Sequence, residues 1–314
     1  MKNTMDFATF TETIKAQLGN YLSEDYKDCE MKISHIKKSN GYEYEGLSVL
    51  RANDADGGIC PVLNLSDAFE RYEKGTSIEE LCEKLADVRM NTQLPGNISR
   101  DNFTDFESMR DQIYPRLVNA NDPILQGRPH RKVEDLAVLY GVRVSVDQHG
   151  FGEANVDDQL LDIWGVDEET LYEAAIANLE REDPVFMNLE LAMFGALDGS
   201  EAPAFDPESI DMDNVAIPFF LLTNKQKVRG ASVVLGTKFM DRIAKKLGYF
   251  YILPSSVHEV LIVPRSFMDD AEQLAEMVRQ VNSDAVAPAD RLSDTVYEYD
   301  AVTHQLIAIK GIAA

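Results

Sequence analysis

The chain has 314 residues, of which 45% are hydrophobic and 9% aromatic, and it carries a formal net charge of −24. That length suits two domains, or one large one, with a real core, and the apolar fraction excludes a disordered chain. The excess of carboxylates argues against nucleic acid and membranes as direct partners and favours a basic protein; it does not fix the oligomeric state.

The charge is unevenly spread. Residues 153–213 hold 18 Asp and Glu against a single base, Arg181, and so account for 17 of the 24 net negative charges. Residues 1–152 carry −7, and residues 214–314 are neutral. Cys29, Cys60 and Cys82 are odd in number and lack metal-type or redox-type spacing, so inert thiols in a reducing compartment are expected. Residues 1–6 contain no apolar signal core, and the longest apolar run, 215–222, is interrupted by Pro218 and far too short for a bilayer. A cytoplasmic protein without cofactor or metal is the expectation.

Phe7, Phe10, Ile14, Leu18 and Tyr21 recur at helical spacing and predict an opening amphipathic helix. Three strands follow at 29–33, 42–49 and 59–65, separated by turns at 39–41 and 53–58, which predicts an antiparallel meander. Ser66 is placed to cap a short helix through Lys74, and Ser77 with Glu80 forms a capping box for a helix carrying Leu81, Leu85 and Val88. Residues 92–105 read as a loop. A boundary there or just after Pro115 divides the chain into parts 1–115 and 116–314.

Residues 135–147 predict two strands meeting at Gly141, or one strand bent there. In the acidic stretch, 168–180 predicts a helix with Tyr172, Ala175, Ile176 and Leu179 on one face. Trp164, Tyr172, Phe186, Met187, Leu189 and Phe194 are expected to anchor this stretch, leaving 198–214 as a long exposed loop. Beyond it, a strand at 215–223 with Pro218 near an edge, a helix at 232–247, strands at 249–253 and 258–263, a helix at 267–281 and a closing hairpin at 296–309 are predicted. The mixture points to an α+β fold with antiparallel sheets, packed helices and two subdomains.

Familiar chemical motifs are missing. Residues 230–238 end like a phosphate loop, but the glycines are one residue too far apart. His258 and Glu259 begin like a zinc-protease helix, yet Ile262 occupies the second histidine position. The densest polar cluster is the connection 254–259, where Ser256 and His258 share one side of an extended strand. A hydrolase could use them as nucleophile and base, although no orienting group or oxyanion donor is evident. The plain alternative is a capped turn. Lys225, Lys227, Arg229 and Ser232 precede or open a predicted helix, an arrangement suited to an anion or to docking against the acidic stretch. Glu168, Glu169, Glu173, Asp183, Asp211 and Asp213 are the carboxylates expected to meet a basic partner, with mimicry of nucleic-acid phosphates as one form of this. A solvated helix face is the plain alternative there.

Trp164-Gly165-Val166 with Glu168, Glu169 and Leu171, the segment Gly230-Ala231-Ser232, the run from Tyr251 to Val260, and Leu292-Ser293-Asp294 with Val296 and Tyr297 together resemble an uncharacterised bacterial domain-of-unknown-function family of gut-associated Gram-positive anaerobes. The C-terminal half is more weakly similar to the YtpQ-like family. Both resemblances imply a soluble bacterial cytosolic protein and neither implies catalytic residues.

Overall fold

The computed structural model describes residues 5–38, 41–51, 60–91, 100–147, 150–198 and 203–309. Residues 39–40, the turn at 53–58, most of the expected loop at 92–105 and Gly199 lie outside the described residues. The chain divides into two compact units, Met1–Thr104 and Asp105–Ala314. The boundary expected after Pro115 would cut a strand: Pro115 pairs with Tyr140 on the outer strand of a sheet, where a residue without N–H is tolerated.

In the first unit, the Asp6 carboxylate accepts the Thr9 amide at 2.8 Å and starts α1 (Phe7–Leu18). Its buried face carries Phe10, Ile14 and Leu18. The meander forms as β1 (Glu30–Lys37), β2 (Glu43–Leu50) and β3 (Val62–Asn64), in that spatial order. Asn64, not Ser66, caps α2 (Leu65–Glu73) by accepting the Asp67 amide at 3.0 Å. The Ser66 hydroxyl instead accepts the Glu45 amide at 3.1 Å and ties the helix start to β2. Ser77 does cap α3 (Ile78–Asn91), accepting from Glu80 at 3.2 Å. Leu47, Val49, Leu65, Leu81 and Cys82 meet the α1 face in one core. The short α4 (Arg100–Phe103) comes last in this unit.

The second unit begins with α5 (Phe106–Met109), followed by β4 (Ile113–Asn119), β5 (His130–Val133), β6 (Leu136–Asp147) and β7 (Gly150–Asn155). Residues 136–147 form one strand, whose irregularity falls between Arg143 and Ser145 and not at Gly141. Gly141 serves a different purpose: a Cβ there would lie 2.6 Å from Glu153 Cγ, so the glycine leaves room for that side chain. The acidic stretch supplies α6 (Asp158–Trp164), α7 (Glu168–Leu179), β8 (Val185–Asn188) and α8 (Leu189–Asp198). Helix α7 buries Leu171, Ala174, Ala175 and Leu179, while Tyr172 stays half-buried beneath the Arg131 guanidinium, 3.9 Å from its ring centre.

The remaining elements are β9 (Phe220–Thr223), α9 (Thr237–Leu247), β10 (Phe250–Leu253), β11 (Val260–Pro264), α10 (Ala271–Asp284), β12 (Tyr297–Asp300) and β13 (Gln305–Ala308). Among the described residues the strands form three antiparallel sheets, and the largest has the order β13-β12-β10-β11-β9-β8. The fold is α+β. Strand β9 is internal to its sheet and starts only after Pro218. The helix expected over 232–247 is two pieces: a buried 3-10 segment, Gly230–Leu235, and then α9 beyond Gly236. The described part of the expected free loop, from residue 203, is docked: Pro207 and Ile210 are buried, and Asp206 and Glu208 pair with Arg242 and Lys245 of α9 at 2.7 and 2.8 Å. The two sheets of this unit are latched at Asp135, whose carboxylate accepts the hydroxyls of Ser293 and Thr295, each at 2.8 Å, and that of Tyr297.

Candidate functional site

Folding turns many carboxylates of residues 153–213 toward the protein itself. The Glu153 side chain is only 6% exposed; it bonds Arg229 and lies 3.6 Å from the Arg116 Nε. Glu168 holds Arg131 at 2.8 Å and accepts the Tyr140 hydroxyl, and Glu169 bonds the same guanidinium. These two carboxylates raise the Arg131 affinity for its proton well above the ordinary arginine value. Glu180 accepts the Thr237 amide at 3.1 Å and the Lys238 amide at 3.4 Å at the start of α9, and Glu182 pairs with Arg143. Asp157, Asp167 and Asp211 accept amide hydrogens at the starts of helical turns.

The six carboxylates expected at an interface therefore divide. Glu168 and Glu169 are engaged by Arg131. Asp211 accepts the Asp213 amide at 3.3 Å and the Asn214 side chain at 2.6 Å. Glu173 and Asp213 are exposed, and the Asp183 side chain is 92% exposed, with Lys225 3.9 Å away.

The two segments singled out for anion binding or hydrolysis do meet. The Arg229 amide donates to His258 Nδ1 at 3.2 Å, and the Thr223 hydroxyl donates to the His258 carbonyl at 2.7 Å. Accepting at Nδ1 puts the neutral imidazole proton on Nε2, which lies 3.3 Å from Asp290. Both ring nitrogens thus have partners. Ser256 is buried, its oxygen accepts the His258 amide at 3.0 Å and its side chain bonds Glu259, while the imidazole nitrogens face Arg229 and Asp290 instead. The neighbouring Glu259 carboxyl is pushed up by burial, against the opposing influence of His258 and a hydrogen bond with Ser256. Ser232 is also buried, and its hydroxyl donates to the Arg229 carbonyl at 3.2 Å. Lys225 and Lys227 are exposed, and Arg229 is held by Glu153. Among the described residues, no group of three or more His, Cys, Asp or Glu is placed to hold a metal ion, and no helix is long and apolar enough to cross a membrane.

A surface feature absent from the sequence expectations lies on α8. Phe194 is not an anchor: it is 59% exposed, with Met193 at 61% and Leu191 at 41%. At about 100° per residue, Met193, Glu190, Phe194 and Leu191 fan across roughly 160° of the helix, all of them exposed. Gly195 is buried and Leu189 and Ala192 are half-buried on the other side. A helix at the surface ordinarily shows the opposite polarity. The signal in the sequence is that the apolar residues of 189–197 encircle the helix instead of forming one stripe.

Neither a comparison with curated proteins nor one with solved structures gives a match. The model of a family of unknown function, DUF5688, matches residues 7–301, and the chain belongs to that family.

Proposed function

We propose that this is a non-enzymatic interaction or regulatory protein of the bacterial cytosol whose acidic middle stretch meets a basic surface. The observation that supports it most is the run between Arg181 and Lys225: nine carboxylates and no base, in a segment whose described residues fold into β8, α8 and the docked turns and hold Asp183 and Asp213 out to solvent. Fixed, exposed carboxylates present a definite charge pattern, which steers and orients a cationic partner. A basic partner protein should bind in low salt and be released as salt screens the pairs. The variant with Glu173, Asp183, Asp211 and Asp213 changed to lysine should lose that partner. Binding that survives this reversal rules the reading out.

A second reading, a small-molecule or anion site at the junction of 225–232 and 254–259, has one observation in its favour, the Arg229–His258 contact. Titration with inorganic phosphate, followed through the His258 ring resonances, tests it; an unmoved spectrum excludes it. The YtpQ-like similarity and a gut-anaerobe origin accord with a cytosolic role and add no chemistry.

A further inference from the structure

We propose that α8 is the docking helix of this acidic surface and that its occupant is an amphipathic helix carrying lysines or arginines beside an apolar stripe. The inference rests on the reading of residues 153–213 as the part that meets a basic partner, and it adds where and with what geometry.

Three observations carry it. First, the solvent-facing arc of α8 is apolar at Leu191, Met193 and Phe194, and large side chains left 41–61% exposed on one helix face bury little when the chain is alone. Second, the base of the helix is fixed while this face is open. Asn188 donates to the Ile217 carbonyl at 2.9 Å, the Leu189 amide donates to the Phe219 carbonyl at 2.8 Å, and Ile217 beside them is itself 49% exposed. A rigidly held helix loses little conformational freedom on binding. Third, Glu190 sits exposed within the apolar arc, and the stretch between Arg181 and Lys225 that contains α8 has nine carboxylates, Glu190 among them, and no base; Glu182, Asp206 and Glu208 pair with Arg143, Arg242 and Lys245, while Asp183 and Asp213 stay exposed. An apolar face that holds a carboxylate, within a stretch free of bases, complements a helix that carries cations beside its apolar stripe. Methionine and phenylalanine give such a surface area and adaptability. The negative charge of the same stretch disfavours an anionic lipid surface.

The test uses the full chain and two designed peptides of identical leucine and lysine composition. One is patterned at helical spacing and the other is scrambled, and binding is read by fluorescence anisotropy. The patterned peptide should bind and the scrambled one should bind at least tenfold more weakly. Met193→Gln with Phe194→Gln should weaken the patterned peptide by about tenfold, the scale of a lost apolar anchor, and leave weak binding of the scrambled peptide unchanged. Glu190→Lys should weaken the patterned peptide as well. These positions are exposed, so circular dichroism and melting temperature should match the parent chain.

Equal binding of the two peptides, lost on charge reversal but not in the Gln variant, overturns the α8 assignment and leaves the acidic-surface reading standing. Binding of neither peptide overturns both. Self-association of the parent chain in sedimentation, or binding to neutral vesicles, abolished in either case by Phe194→Gln, replaces the proposed occupant with a second copy or a lipid surface.

Discussion

The backbone amide of Arg229 donates to the Nδ1 of His258, 29 residues along the chain, and this bond closes the junction between β9, the 3-10 segment and the connection into β11. Gly230 is the piece that makes the approach possible. A Cβ at Gly230 would lie 2.6 Å from the Asn224 nitrogen and 2.6 Å from the His258 carbonyl oxygen, with the Thr223 hydroxyl closer still. Two of those three atoms are backbone and cannot rotate away. Gly230→Ala should therefore cost about 3 kcal/mol, the upper end of ordinary overpacking. Gly165→Ala is the control: φ is 67° but nothing lies within 4 Å, so only the left-handed strain of about 1 kcal/mol applies. Trp164, the single tryptophan, lies in the second unit and packs on Phe106 at 5.7 Å, so urea unfolding followed by its fluorescence reports on the same unit. A Gly230→Ala midpoint no lower than that of Gly165→Ala refutes this account.

The buried charge at Glu153 gives a second expectation. Arg116 is almost wholly buried, and burial holds its proton affinity down to about 10, with Glu153 acting the other way and Arg229 adding repulsion. Glu153→Ala would leave Arg116 facing Arg229 without the carboxylate between them, which should destabilise the unit by about 3–5 kcal/mol. Replacing Arg116 by Met together with Glu153 by Leu removes both buried charges, and the double variant should be markedly more stable than Glu153→Ala alone. The same fluorescence-detected unfolding measures both. If the double variant is the weaker one, the ion pair stabilises through more than the neutralisation of Arg116.

Local signals were the legible ones. Ser77 caps its helix as the sequence predicts, because an N-cap bond spans three residues. The alternation of β1 and β2 likewise marks their pairing, from Glu30 with Leu50 to Lys37 with Glu43. Long-range partners were not legible. Nothing near Asp206 announces Arg242, 36 residues on, so the turns at 207–214 read as loop. His258 and Glu259 prolong an apolar alternation and so read as strand, whereas Val260 is where pairing with β9 starts. Which way α8 faces depends on what covers it, and hydrophobicity alone points Phe194 inward, where the fold leaves it exposed. The candidate site shares this limit: its residue types are visible in the sequence, and the division into engaged and exposed carboxylates is a property of the fold.

Glu180 shows how an acid in that stretch can be structural. Gly236, at the N-cap position of α9, offers no side chain, and Glu180 from the end of α7 accepts both the Thr237 amide and its hydroxyl, the latter at 2.9 Å. Burial alone would push its carboxyl up; the bonds from Lys238 and Thr237 together outweigh that and hold it below the usual carboxylate range. Because the folded value is depressed, the stabilisation is present above the unfolded pKa of about 4.3 and is lost as pH falls through the folded value. Glu180→Ala should cost about 1 kcal/mol at neutral pH, the usual worth of an N-cap. Its deficit relative to the parent chain should shrink in acid. An unchanged deficit from neutral pH into strong acid contradicts a role for the charge.

His35 has the opposite sign. It sits on β1 between two carboxylates of β2, with Nδ1 2.8 Å from Glu45 and Nε2 2.9 Å from Glu43. Both ring nitrogens face acceptors, so the doubly protonated imidazolium is the form that satisfies the site. Hydrogen bonds to Glu45, and then to Glu43, raise its pKa above the ordinary histidine value. A raised folded pKa means the stabilisation is fully present below the unfolded value, about 6.5, and disappears as pH rises through the folded one. The ring resonances of His35 in a pH titration should therefore show a midpoint above those of exposed histidines. Glu45→Gln should lower that midpoint more than Glu43→Gln does, and the double variant should bring it to the ordinary value. High salt should narrow the difference only partly, because two short, directional bonds contribute beyond the screened charge. A parent midpoint at or below the ordinary histidine value removes the pairing from the solution structure.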